Sequence, residues 1–225
     1  MSNVRFKAGG VEVASLLREE FLFCMSRYEG KNYIPISRFP VSVGWDKERN
    51  EILSVIESII ARQTGLGMNI ITGVKYMMSE IVDNMADHSY ASNGFVFAQA
   101  YPHLGHIDIC LADAGITILG SYKHREDIEI ETCSEALRAA NSGVSSKNRP
   151  SAENRGYGIS TTRRMIVYGL GGQYLMASGN AVFMCKRDGE HLVEIPEGVS
   201  FGGTIVAFRI PLAVNKDFDY TKFIE

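Results

Sequence analysis

One segment of this chain carries two faces at once. In TGVKYMMSEIVDNMADHS, residues 72–89, the apolar residues Val74, Met77, Met78, Ile81, Val82 and Met85 recur at the i, i+3, i+4, i+7 step of an α-helix. Glu80, Asp83, Asn84 and Asp87 recur at the same step. At ~100° per residue, this second stripe lies roughly 120° round from the first. A helix over about Thr72–His88 can therefore pack on a sheet while presenting three carboxylates and a carboxamide along its flank. Like charges at these spacings cost a helix ~0.2–0.5 kcal/mol per pair, and no Lys or Arg follows within the stripe to relieve them. A divalent cation or a substrate proton would. Oxygen donors suit Mg²⁺, which takes few protein ligands and keeps its waters and phosphates. A plain solvated helix face has the same pattern.

Around this helix the chain alternates helical and strand-like stretches. Residues 11–28 and Asp46–Thr64 carry apolar stripes at helical spacing, the second closed by Gly65 and Gly67. Between them lies the extended, Pro-punctuated run NYIPISRFPVSV. Strand signals follow at Gly94–Tyr101 and Ile107–Ala112, then a polar interval from Leu119 to Asn154 with one helix near Cys133–Asn141. A helix over Ile159–Tyr168 leads into strands at Gln173–Ala177, Ala181–Cys185, His191–Glu194 and Gly203–Ile210. The expected architecture is α+β: a two-layer sandwich, with helices on one face of a mixed, mostly antiparallel sheet. Residues 46–225 form the domain in this reading, and residues 1–45 an appended helix and extended segment.

Three glycine-bearing stretches punctuate the strands and helices. Asp113-Ala114-Gly115 ends an apolar strand and puts an acid where a pocket floor would lie; plain turns are built the same way. Arg155-Gly156-Tyr157-Gly158-Ile159 precedes a helix, where glycines let backbone N–H groups approach a phosphate. It is neither a Walker A loop nor a dinucleotide fingerprint. Gly202-Gly203-Thr204 opens the last strand, either as a hairpin end or with its threonine facing a pocket.

A formal net charge of −3 argues against a sequence-independent grip on nucleic acid, which needs a basic field. No segment approaches the ~20 apolar residues of a membrane span, and no secretory leader is expected in the first residues. Cys24, Cys110, Cys133 and Cys185 have no metal or redox spacing, and read as reduced, mostly buried thiols of a cytoplasmic protein.

Taken in order, helical E-x-x-x-N (Glu80–Asn84), strand-D-x-G (Asp113–Gly115), R-G-x-G before a helix (Arg155–Gly158) and G-G-T on a late strand (Gly202–Thr204) resemble the GHKL superfamily of ATP-binding proteins. The resemblance covers residues 46–212. EIVDNMADHS and NRGYGISTTRRMI look most like the anti-sigma-factor serine kinases and related histidine-kinase-like ATP-binding domains. It implies the Bergerat ATP-binding fold, with ATP and Mg²⁺ as ligands. Glu80 would be the general base, and Asn84 the Mg²⁺ ligand. Asp113 would accept from the adenine amino group with Thr204 in support, and Gly115 would give room beside the base. Gly156 and Gly158 would cradle phosphates, with Arg155 ranked ahead of Lys147 and Arg149 as their cation. Asp83, Asp87, Ile118, Tyr157 and Ile159 complete the implied ATP/ADP set, and 119–154 would be the lid. Two departures stand out: Thr117 replaces the usual second glycine of D-x-G-x-G, and Asn154 stands where many members have glycine.

The resemblance implies phosphoryl transfer to a protein serine or threonine, or slow ATP hydrolysis. The alternative is a non-catalytic switch in which ATP orders the lid and the lid engages a protein partner. A homodimer is compatible with either.

Overall fold

Helix α1 (Asp46–Gln63) and helix α2 (Met68–His88) bury the apolar stripes read from the sequence: Ile52, Val55, Ile56, Ile59 and Ile60 on the first, Val74 through Met85 on the second. The computed structural model describes residues 23, 25–41, 44–125, 127–146, 157–196, 198–214 and 217–224. The helix expected over 11–28 falls largely outside them; Phe23, Met25 and Ser26 are helical. α2 begins one turn before Thr72, because Ile70 and Ile71 extend its buried stripe and donate their amides to Gly67 O.

Seven strands form one open sheet: β1 (Tyr33–Pro40), β2 (Asn93–Tyr101), β3 (His106–Asp113), β4 (Gln173–Gly179), β5 (Ala181–Lys186), β6 (Gly189–Glu194) and β7 (Phe201–Pro211). Their order is β1-β2-β3-β7-β4-β5-β6, and every neighbouring pair is antiparallel. The chain is thus α+β, with no parallel pairing among the described strands. β1, from the extended run before α1, pairs with β2 and buries Ile34 and Phe39. A Cβ on Gly94 would meet the Phe39 ring at 2.6 Å, so that glycine makes the room.

Alternation along the strands sets one face of the sheet against the helices. Register aligns three inward rows. Gly94, Asp113, Thr204, Ser178 and Ala181 form the first, and Val96, Leu111, Val206, Met176 and Phe183 the second. Ala98, Ile109, Phe208, Tyr174 and Cys185 form the third. The two apolar rows share one core with the stripes of α1 and α2. On the other face Arg209 Nε and Nη2 donate to Asp108 Oδ1 and Oδ2 at 2.7 and 2.8 Å across the β3–β7 pair.

Three sequence expectations need correction. The polar interval after Asp113 holds two helices, α3 (Ile118–Tyr122) and α4 (Cys133–Asn141). Buried Tyr122, Ala136 and Ala140 give them a small core of their own, with Ile128 and Ile130 packed against it. Thr117 is the N-cap of α3, its side chain accepting from Gly120 N at 3.1 Å, so a threonine serves where the resemblance expects a second glycine. The helix expected over Ile159–Tyr168 is α5 (Tyr157–Arg164) followed by a π-turn, Met165–Gly169, in which Leu170 N donates to Met165 O. A Cβ on Gly169 would meet the Phe218 ring at 2.6 Å, and one on Gly73 of α2 at 2.8 Å, so two glycines seat the C-terminal segment.

The turn after β3 is pinned to the end of α2. Ile116 N donates to Ser89 O at 2.7 Å, and a Cβ on Gly115 would lie 1.8 Å from that same oxygen. Both partners are backbone and cannot rotate aside. Gly115→Ala should therefore cost about 3 kcal/mol or more, by overpacking against an unyielding wall. Gly105→Ala sits at φ +71° in open space and should cost only about 1–2 kcal/mol, the left-handed penalty alone. Urea midpoints of the two variants measure the difference.

Candidate functional site

A cavity of about 480 Å³ opens between α2, α3, α5 and the inward face of the sheet. That lies within the ~300–1,000 Å³ of small-molecule sites. At its floor stands Asp113, the last residue of β3, only 3% exposed. Burial pushes its carboxyl up to about 6 from the ordinary 3.8, against hydrogen bonds from the Gly115 and Thr204 backbone that pull the other way. Gly115 N donates to Asp113 Oδ1 at 2.9 Å.

Thr204 is the register partner of Asp113 on β7 and also lines the cavity. Gly203 before it adopts φ +119°, and a Cβ there would lie 2.2 Å from Asp113 O. The G-G-T stretch thus brings β7 against the end of β3 as closely as a glycine allows. Ser178 on β4 ties this corner together: its Oγ donates to Gly203 O at 2.7 Å, accepts from Ile118 N at 2.9 Å, and lies 3.3 Å from Thr204 Oγ1.

The polar stripe of α2 forms a wall. Glu80, Asp83, Asn84 and Asp87 all line the cavity, Glu80 and Asn84 half-buried, Asp83 and Asp87 exposed. The first turn of α5 stands directly against it. A Cβ added at Gly158 would come within 2.7 Å of Glu80 Oε2 and 3.2 Å of Asn84 Nδ2. Ile159 beside it, Ile118 from α3 and Met85 from α2 supply apolar surface.

Nine residues singled out from the sequence therefore meet at one cavity: Glu80, Asp83, Asn84, Asp87, Asp113, Ile118, Gly158, Ile159 and Thr204. Gly115 lies behind it, holding the β3 turn to α2. Tyr157 opens α5. Arg155 and Gly156, with Lys147 and Arg149, fall outside the described residues.

Other lining residues had no motif to mark them. Arg49 of α1 reaches the cavity, donating to Asp46 and, at 3.3 Å, to Val41 O. Tyr122 Oη donates to Val144 O at 2.5 Å, and Arg125 Nη1 to Ser145 O at 3.1 Å, which ties the segment after α4 to α3 at the cavity edge. Met176 and Tyr174 extend the floor along β4 from Ser178. The period-two spacing of 174, 176 and 178 is the signal that would have found them.

The donors on the α2 wall are oxygens, the chemistry Mg²⁺ prefers. Among the described residues, no group of three or more His, Cys, Asp or Glu side chains is arranged to hold a metal ion. A cation here would be shared between one or two wall residues and a ligand. Cys185 is buried, Cys110 and Cys133 are partly so, and all three are free; Cys24 is not among the described residues. No helix among the described residues is long and apolar enough to cross a membrane. Neither a protein-family model nor a curated protein matches this chain.

Asp113 gives a signed pH prediction. Its folded pKa lies above the unfolded value, so the folded state binds more protons between them. Stability is greatest below pH 4 with respect to this group, and declines as pH rises toward 6. Asp113→Asn lacks that decline. Its stability relative to the parent should rise between pH 4 and pH 7 by an amount on the order of 3 kcal/mol, read from denaturant midpoints across pH.

Proposed function

We propose that this chain binds Mg²⁺ and ATP in the manner of the GHKL superfamily, on a Bergerat-type arrangement of helices and sheet, and transfers or hydrolyses the terminal phosphoryl group. One observation carries the reading: Glu80 and Asn84 from one helix and Asp113 from a distant strand line a single cavity, and the Gly158 backbone stands against the first two.

Each end of the cavity suits a different part of the nucleotide. The buried carboxylate of Asp113 and the hydroxyl of Thr204 accept from an exocyclic amino group, while Met85, Ile118, Ile159, Met176 and Val206 enclose a flat base. The half-open wall of α2 takes the phosphates. There Glu80 is positioned to accept the proton of an attacking water or protein hydroxyl, with the adjoining start of α5 directing backbone N–H groups toward charge. Asn84 is the wall residue that would hold Mg²⁺, through its amide oxygen. The ion, when bound, neutralises phosphate charge and orients the terminal group.

Among the described lining residues Asp46, Glu80, Asp83, Asp87 and Asp113 are acidic, beside Arg49 and His88. A divalent cation bound with the triphosphate would offset charge on both.

A thermal shift tests the reading first. ATP with Mg²⁺ at 100 times its Kd should add about 2.7 kcal/mol, worth roughly 5–10 °C to a chain of this size, and chelation should remove most of the gain. Asp113→Asn should lose nucleotide binding while folding normally, because it presents a donor to a donor. Glu80→Ala should keep binding and lose phosphoryl transfer. A flat response of the wild type to both Mg-ATP and Mg-ADP would refute the proposal; binding without any turnover would favour the switch over the enzyme.

A further inference from the structure

The face of the sheet turned away from the helices carries an apolar band that no described helix covers. Register sets one outward row from Phe95 on β2 through Ala112, Ile205, Ala177 and Val182 to Val193 on β6. The next row runs from Phe97 through Cys110, Ala207 and Leu175 to Met184 on β5. None of these side chains joins the core built with the helices. All but Ala177 keep some exposure, and Val193 is 47% exposed, whereas every residue of the inward Val96–Phe183 row is at most 4% exposed.

The band has the size and anatomy of an interface core. Two rows across six strands, at ~4.8 Å between strands and ~3.4 Å per residue, cover roughly 400 Å². Monomers rarely leave so much contiguous apolar surface without a use for it. A stable interface takes about 800 Å² from each partner, apolar at its centre and polar at its rim. The rim is present too. Arg38 continues the first row onto β1 and His191 the second onto β6, while Gln99, Asp108, Arg209 and Gln173 make the row beyond.

Charge indicates the occupant. The band itself holds no acid, base or histidine. In the rim Arg209 and Asp108 neutralise each other through two hydrogen bonds, which leaves Arg38 on β1 and Lys186 on β5, toward opposite edges of the sheet. The acidic cluster of the chain lies behind the other face, around the cavity. A partner chosen by charge would need a field here to read, whereas a second copy needs only that nothing repels it. The described residues before β1 belong to the helix side, where Met25 is buried in the main core and Glu29 O accepts from Ser58 Oγ of α1.

We infer that two copies of this chain pack these faces together, sheet on sheet, about a two-fold axis. An axis along the strands lays the β1 edge of one copy over the β6 edge of the other, so the two Arg38 side chains sit at opposite ends. Both cavities then open on the outer sides of the pair, and the pairing does not rest on what they bind.

Light scattering on the full chain as it elutes from a sizing column tests this. The wild type should show twice the mass of one chain, with a Kd of about 1 μM or tighter. Phe97→Glu and Val182→Glu each put a carboxylate inside the band and should weaken pairing at least ~10-fold, with melting curves to check that they fold. Leu104→Glu, in the β2–β3 turn and 71% exposed outside the band, should pair as the wild type does. A measurement without substitution stands beside these. The free, partly exposed Cys110 thiol should take up a maleimide more slowly when the chain is concentrated above the Kd than when it is diluted below it, followed at its own peptide by mass spectrometry. A wild type still monomeric at about 100 μM would overturn the inference and leave the face to a different protein or to residues 1–22. A dimer that survives both face variants, or Cys110 labelling that ignores concentration, would overturn it as well by putting the contact elsewhere, such as the open edge of β6.

Discussion

The backbone contact between Ser89 at the end of α2 and the Gly115–Ile116 turn after β3 fixes the geometry of everything else. It sets the height of the α2 flank above the sheet, and with it the distance between the acids of that flank and the floor at Asp113. Two glycines make the approach possible. Gly115 lets the turn touch Ser89, and Gly203 lets β7 close on the carbonyl of Asp113. At Gly115 the role is the absence of a Cβ where two backbones meet; at Gly203 that absence is joined by φ +119°, a conformation that favours glycine.

Asp113 shows what that closure costs. The carboxylate sits at the end of a strand under apolar cover, and burial outweighs the two backbone hydrogen bonds that favour its charge. A protein selected for stability alone would place a neutral residue there. A ligand donor directed at the same oxygens would recover part of the expense, which is how strained or desolvated groups come to concentrate at binding sites.

The segment after Asp113 is more built than its polar composition suggests. α3 and α4 share a core centred on Tyr122, Ala136 and Ala140, and α4 carries a capping box in which Thr132 and Glu135 exchange hydrogen bonds. Tyr122 and Arg125 then hold Val144 and Ser145 at the cavity edge. This part of the cavity rim is thus bounded by packed helices, α4 also lying against β4 and β5 and contributing Leu137 to the main core.

The sequence by itself determined the periodic elements. The stripes of α1 and α2, the alternating strands and the helix at Cys133–Asn141 follow from 3.6- and 2-residue repeats, because local geometry decides which side chains share a face. It also supplied Glu80, Asn84, Asp113, Gly158 and Thr204, because glycines and acids beside regular elements leave a trace in order and spacing. Tertiary structure alone decided the rest. α3 is too short and too weakly patterned to announce itself, and the π-turn after Arg164 answers to packing against Phe218. Thr162 and Tyr174 look like ordinary residues of a helix and a strand; only strand register and helix docking bring them to the same cavity as Asp113. Register is a relation between segments, and no single segment contains it.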